Sequence, residues 1–251
     1  MPEIIGITNK AANPGSIEPA QSAPVAPGFL GLLNRRERWG LSWPGRFVLL
    51  GLVLLGGWAF MVYTYPFLAE TDRVDANILV VEGWVHQFGA VAALKEFDSG
   101  AYPRAYTTGG PMEGTGAYTS DGNTVASLGA SMLQNVRFPA DAIQMVPSHV
   151  SGRDRTYSSA LALRQWLQEK KIVVRGINIV TEGAHARRTR LLFQEAFGND
   201  VPVGVISAVN PDYDAKHWWR YSEGVREVIG ENLAYIYARF FFHPPSQAKS
   251  E

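Results

Sequence analysis

The chain has 251 residues, 46% of them hydrophobic and 18% charged, so a packed core is within reach and disorder throughout is excluded. Its 23 basic and 23 acidic side chains cancel, which gives no electrostatic ground for nucleic acid as a partner. There is no cysteine, which excludes disulfides, thiolate metal sites and a cysteine nucleophile together.

Residues 1–34 mix Pro, Ala, Gly and Ser without periodicity and read as a disordered cytoplasmic tail. The next segment, 35–46, is basic, with Arg35, Arg36, Arg38 and Arg46 opposed only by Glu37. Residues 47–69 then carry no charge. At about 1.5 Å per residue they reach about 34 Å, enough to cross a hydrocarbon core of about 30 Å. The stretch has no polar face, which argues against a buried core helix. It is also too long for the apolar run of a cleaved signal, and no A-x-A-like site follows it. Basic residues before the span and Glu70 and Asp72 after it place the N-terminus inside and the remainder outside. The expectation is a single-pass protein of the cytoplasmic membrane, the bilayer as its partner, with a periplasmic or otherwise extracytoplasmic domain.

Residues 75–243 alternate short apolar runs with amphipathic stretches, and 244–251 read as a flexible tail. Ile78-Leu79-Val80-Val81 is a β-branched run suited to a strand buried on both faces. A helix follows at 87–98, then a strand at 104–108 ended by Gly109-Gly110-Pro111. Further on, helices are predicted at 121–135, 158–170 and 187–197, the last ended by Gly198. Strands are predicted at 143–146, 177–181 and 203–207. The succession calls for an α/β domain: a mostly parallel sheet with helices on both faces. In a closing helix at 224–242, Val225, Val228, Ile229, Leu233, Ile236 and Phe240 form one stripe, expected to pack on the sheet.

Ligands of open α/β sheets bind beyond the carboxyl ends of the strands. The residues there are Glu82-Gly83-Trp84, then Thr107-Thr108-Gly109-Gly110, then His149 and Asp154-Arg155-Thr156, and finally Thr181-Glu182-Gly183-Ala184-His185 with Arg188. Glycine turns and helix N-termini attract anions, and arginine reads phosphate or carboxylate with a planar fork. The expected ligand is therefore an anionic or phosphate-bearing small molecule. Neither a Walker loop nor G-x-G-x-x-G nor G-x-S-x-G is present. One histidine with scattered carboxylates lacks the spacing of a metal site, and no cofactor is named by the sequence.

These same segments resemble a family of unknown function that includes YdcF, SanA and ElyC. The resemblance runs from Ile78 to Glu231 and rests on Ile78-Leu79-Val80-Val81, Thr108-Gly109-Gly110, Arg155-Thr156, Val180-Thr181-x-x-x-His185-x-x-Arg188 and Glu231-Asn232-Leu233. It implies a Rossmann-like domain, often behind one N-terminal membrane helix, linked to envelope or polysaccharide biogenesis, with a lipid-linked envelope precursor as the alternative partner to an anionic small molecule. Gly109, Gly110, Thr156, His185 and Arg188 match the family pattern. Two places depart from it: the first strand ends in Glu82-Gly83-Trp84, and the family's Thr-x-Glu-Asn is Thr156-Tyr157-Ser158-Ser159.

Two functions follow as expectations. In the first, an enzyme uses His185 as general acid/base, Glu82 or Glu182 as the carboxylate that orients it or a water, and Arg188 as an anion clamp. Thr108, Gly109, Gly110, Thr156 and Ser159 would complete the ligand contacts. In the second, a non-catalytic scaffold or glycan-binding protein uses Trp218, Trp219 and Tyr221 to stack on sugars or lie at the bilayer surface.

Overall fold

The computed structural model describes residues 33–35, 39–100, 102–112, 118–151 and 154–244. Nearly all of the expected cytoplasmic tail and C-terminal tail lies outside them. The chain divides into two compact units, Met1–Leu55 and Gly56–Glu251. In the first, β1 (Leu33–Arg35) pairs antiparallel with β2 (Trp39–Leu41), two short strands that carry no periodic signal of their own.

Helix α1 (Trp43–Leu68) begins in the first unit and ends in the second. It is the one helix among the described residues long and apolar enough to cross a membrane. It starts four residues earlier than the uncharged run, because Trp43 to Arg46 continue its first turn. Its last turns belong to the domain: Thr64, Tyr65 and Leu68 are buried, and Met61 O accepts a 2.9 Å bond from Trp218 Nε1. The linker that follows is clamped along the sheet edge. Arg190 reaches Asp72 at 2.9 Å, and Arg187 pairs with Glu70.

In the second unit the elements run β3 (Ile78–Glu82), α2 (Gln87–Phe97), β4 (Ala105–Gly109), α3 (Val125–Asn135), β5 (Ile143–Pro147), α4 (Arg155–Glu169), β6 (Ile177–Glu182), α5 (Ala186–Phe197), β7 (Val203–Ala208) and α6 (Ser222–Phe240). The five strands form one all-parallel sheet in the order β5-β4-β3-β6-β7. This is the doubly wound, Rossmann-like arrangement, with its switch point between β3 and β6. Alternate residues of β3 serve opposite layers, as strand geometry requires. Ile78 and Val80 join the core under α4 and α5, and Leu79 and Val81 the core under α2 and α3.

Two expectations change. Trp218 is 3% exposed and packs edge-on against Phe60 of α1, so it is a wedge under the end of that helix and has no free face for a sugar. The apolar stripe of α6 does not pack on the sheet. Gly224, Val228 and Ala238 are the buried residues of that helix, while Val225, Ile229, Leu233, Ile236 and Phe240 stay exposed. Helical periodicity identifies an apolar face without saying what covers it.

Candidate functional site

Parallel strands on either side of a switch point send their following loops apart and leave a crevice at the carboxyl rim. Here it is a cavity of about 990 Å³. The glycine turn contributes Thr108, Gly109 and Gly110, and α4 contributes Thr156 and Ser159. The ends of β3 and β6 contribute Glu82 and Glu182, and the start of α5 contributes His185 and Arg188. All nine residues given catalytic or ligand-contact roles in the sequence therefore line one cavity. His149 lies elsewhere, on the surface near Asp121.

At the centre stands a network of two carboxylates and two cations. Glu82 closes β3 in phase with Ile78 and Val80, so its side chain turns toward α5. There Oε2 accepts a 2.9 Å bond from Thr189 Oγ1 and lies 3.6 Å from His185 Nε2, an ion-pair contact longer than a hydrogen bond. On the other side of the imidazole, Nδ1 is 2.9 Å from Glu231 Oε1 of α6. Arg188, one turn after His185, grips the same carboxylate through Nε at 2.8 Å and Nη2 at 3.0 Å. Its Nη2 is also 2.9 Å from His185 Nδ1, and Glu231 Oε1 bonds to both nitrogens and screens the two donors from each other.

The electrostatics follow from these distances. Burial and the Arg188 charge push the His185 pKa down, but the carboxylates of Glu82 and Glu231 outweigh them and raise it to about 9. Glu231, although partly buried, is held down at about 2 by His185 and Arg188. Glu82 is likewise lowered, burial being overcome chiefly by the imidazolium. At neutral pH His185 is therefore a cation directing both N–H groups at carboxylates. Trp84 stands beside it, ring centres 4.8 Å apart at 72°.

Linkage gives the sign of a pH effect. His185 has a higher pKa folded than unfolded, so its contribution is complete below pH 6.5 and lost as pH rises through about 9. Unfolding measurements on the full chain in detergent should show a decline over that interval of order 3 kcal/mol. In the His185→Gln variant the curve should be flat across the same window; an unchanged slope would show that another group titrates.

The second acid, Glu182, works differently. Its Oε1 accepts a 2.5 Å bond from the His86 N–H at the start of α2, and Oε2 lies 2.9 Å from His86 Nδ1. Burial raises its pKa despite these bonds. Of the two candidate acids, Glu82 touches His185 and Glu182 caps α2. Glu231 takes the main orienting position. It was known from the sequence only through the resemblance, yet Glu223, Glu227 and Glu231 recur every four residues, an acidic row opposite the apolar stripe of α6. Glu227 also enters the site, accepting from the Ala184 N–H at 2.8 Å and from Asn210 Nδ2 at 3.2 Å.

The β4 side of the cavity has another character. Thr108 is 2% exposed, and its Oγ1 has no hydrogen-bond partner among the described residues although Thr108 lines the cavity. Helix α4 opens on the same cavity, and Asp154 before it takes the left-handed conformation at φ 61°. A buried orphan hydroxyl costs about 1–3 kcal/mol unless a ligand or water satisfies it. Gly109 is needed for packing, since a Cβ there would stand 2.7 Å from Val125 Cβ.

No protein-family model matches the chain, and no curated protein matches it. The class is therefore defined by fold and site alone: a Rossmann-like α/β domain behind one apolar helix, with a charged cavity at the topological switch point.

Proposed function

We propose that the cavity binds a phosphate-bearing sugar or similar polyol of the cell envelope, on the outer face of the cytoplasmic membrane to which α1 anchors the domain. The observation that carries this reading is the Thr108 hydroxyl, which has no hydrogen-bond partner among the described residues, at a rim where the glycine turn and the start of α4 also converge. Hydroxyls and backbone N–H groups at a helix start are phosphate ligands. The opposite end of the strand order brings Glu182, Glu227 and Asn210, whose oxygens accept from sugar hydroxyls, and Trp84 lies between as a stacking surface. This reading extends the resemblance to the YdcF, SanA and ElyC family, and with it a role in envelope or polysaccharide biogenesis.

His185, cationic at neutral pH, is suited to contact an anionic oxygen or to donate a proton to a leaving group, and poorly suited to accept one. Catalysis, where present, runs through His185 as general acid, with Glu82 and Glu231 positioning it. Arg188 has its fork on Glu231, so its first duty is to hold that carboxylate.

The test is a titration of the full chain in detergent with inorganic phosphate, glycerol phosphate and a nucleoside diphosphate sugar, read by the His185 imidazole resonance. The sugar nucleotide is expected to shift it at the lowest concentration. Thr108→Val should weaken that binding about tenfold, the worth of one satisfied hydrogen bond. If none of the three probes moves the resonance at millimolar concentration, the proposal fails.

A further inference from the structure

Five of the six residues of the apolar stripe of α6 stay exposed, Val228 alone being buried, and the exposed five call for an occupant. Val225, Ile229, Leu233, Ile236 and Phe240 are 37 to 69% exposed and recur at spacings of four, four, three and four. At about 1.5 Å per residue the stripe is about 22 Å long. We infer that α6 lies in the interface of the same bilayer that α1 enters, with this stripe as its lipid-facing side.

Two observations favour a bilayer over a second copy of the chain. The first is continuity. The end of α1 is seated in the domain by Leu68 and by the Trp218 bond to Met61 O, without a slack linker. Phe67 of α1, itself half exposed, meets Tyr235 of α6 edge-on at 5.5 Å between ring centres. The end of α1 and the flank of α6 therefore lie side by side. The second is charge. At 100° per residue, Arg226 and Arg239 fall at the two borders of the stripe, while Glu227 and Glu231 fall on the opposite face. Cations flanking an apolar stripe, with acids turned away, is the distribution of a helix at an anionic lipid surface. Tyr221 and Phe241, both exposed, bracket the stripe with the aromatic rings favoured at headgroup level. The consequence is a fixed orientation of the domain: its cavity, which Tyr237 and Phe242 also line, opens close to the membrane surface.

Because the chain has no cysteine, a single introduced one can be labelled cleanly. The full chain is reconstituted in vesicles of phosphatidylcholine and phosphatidylglycerol with a nitroxide on Leu233→Cys, or on Val173→Cys as an exposed control remote from α6. The Leu233 label is expected to be several-fold less accessible than the control to an aqueous nickel chelate and more accessible to oxygen. Equal nickel accessibility at the two positions would overturn the inference. So would label-to-label coupling at Leu233 that survives dilution into excess lipid, which would assign the stripe to a second copy.

Discussion

Glu231→Gln is expected to destabilise the domain by about 3–5 kcal/mol at neutral pH, the cost of breaking a buried ion pair by removing one member. Glutamine keeps the size and one acceptor but takes away the charge that faces both Arg188 and His185. Two cations within 2.9 Å of each other would be left with Glu82, 3.6 Å from the imidazole, as their nearest compensation. The His185 pKa should fall from about 9, because the remaining guanidinium and burial both favour the neutral ring. Denaturant unfolding and a histidine NMR titration read the two effects separately. Replacing Arg188 by methionine in the same chain should recover part of the loss, since the second change removes the charge stranded by the first. A loss below about 1 kcal/mol with an unmoved imidazole titration would mean that Glu231 is not the counter-ion described above.

Gly83→Ala is expected to cost about 3 kcal/mol or more, as overpacking against backbone does. A Cβ at Gly83 would lie 2.1 Å from Val125 O and 2.8 Å from Thr108 O. Neither atom belongs to a side chain that can turn away. Gly129, on the next turn of α3, faces Gly83 Cα in the same contact, at 2.5 Å from its own ideal Cβ. The two glycines let α3 approach the end of β3, and that approach holds the Thr108 turn against the cavity. The variant should therefore lose ligand contacts at Thr108 together with stability. Gly230→Ala is the control: nothing lies within 4 Å of its Cβ, and an exposed helical alanine should be neutral or stabilising by up to about 1 kcal/mol. Equal thermal midpoints for the two variants would show that the α3 contact is looser than these distances require.

Much of the architecture was legible without coordinates because the signals are local. The uncharged run after the arginines marks α1. The β-branched strands Ile78–Glu82 and Ile177–Glu182 stand out because a parallel strand is apolar on both faces. Gly198 ends α5 as expected, its φ of 82° allowing the chain to turn. Order and spacing also placed Thr108, His185 and Arg188 at strand ends, hence on one rim, since every strand of a parallel sheet points its carboxyl end the same way. What covers each face was not legible. The stripe of α6 looks like a core stripe by its period, and only the folded chain shows Gly224, Val228 and Ala238 on the packed side.

The long apolar helix, the parallel sheet and the rim on which polar residues gather can all be read along the chain. These depend on charge, apolar periodicity and strand direction, all properties of short segments. Tertiary structure alone decided that Glu231 holds His185, that Glu182 caps α2 and that Trp218 is a wedge and not a platform. Those assignments depend on side chains brought together across 46, 96 and 157 residues of chain, and separations of that length leave no local pattern to read.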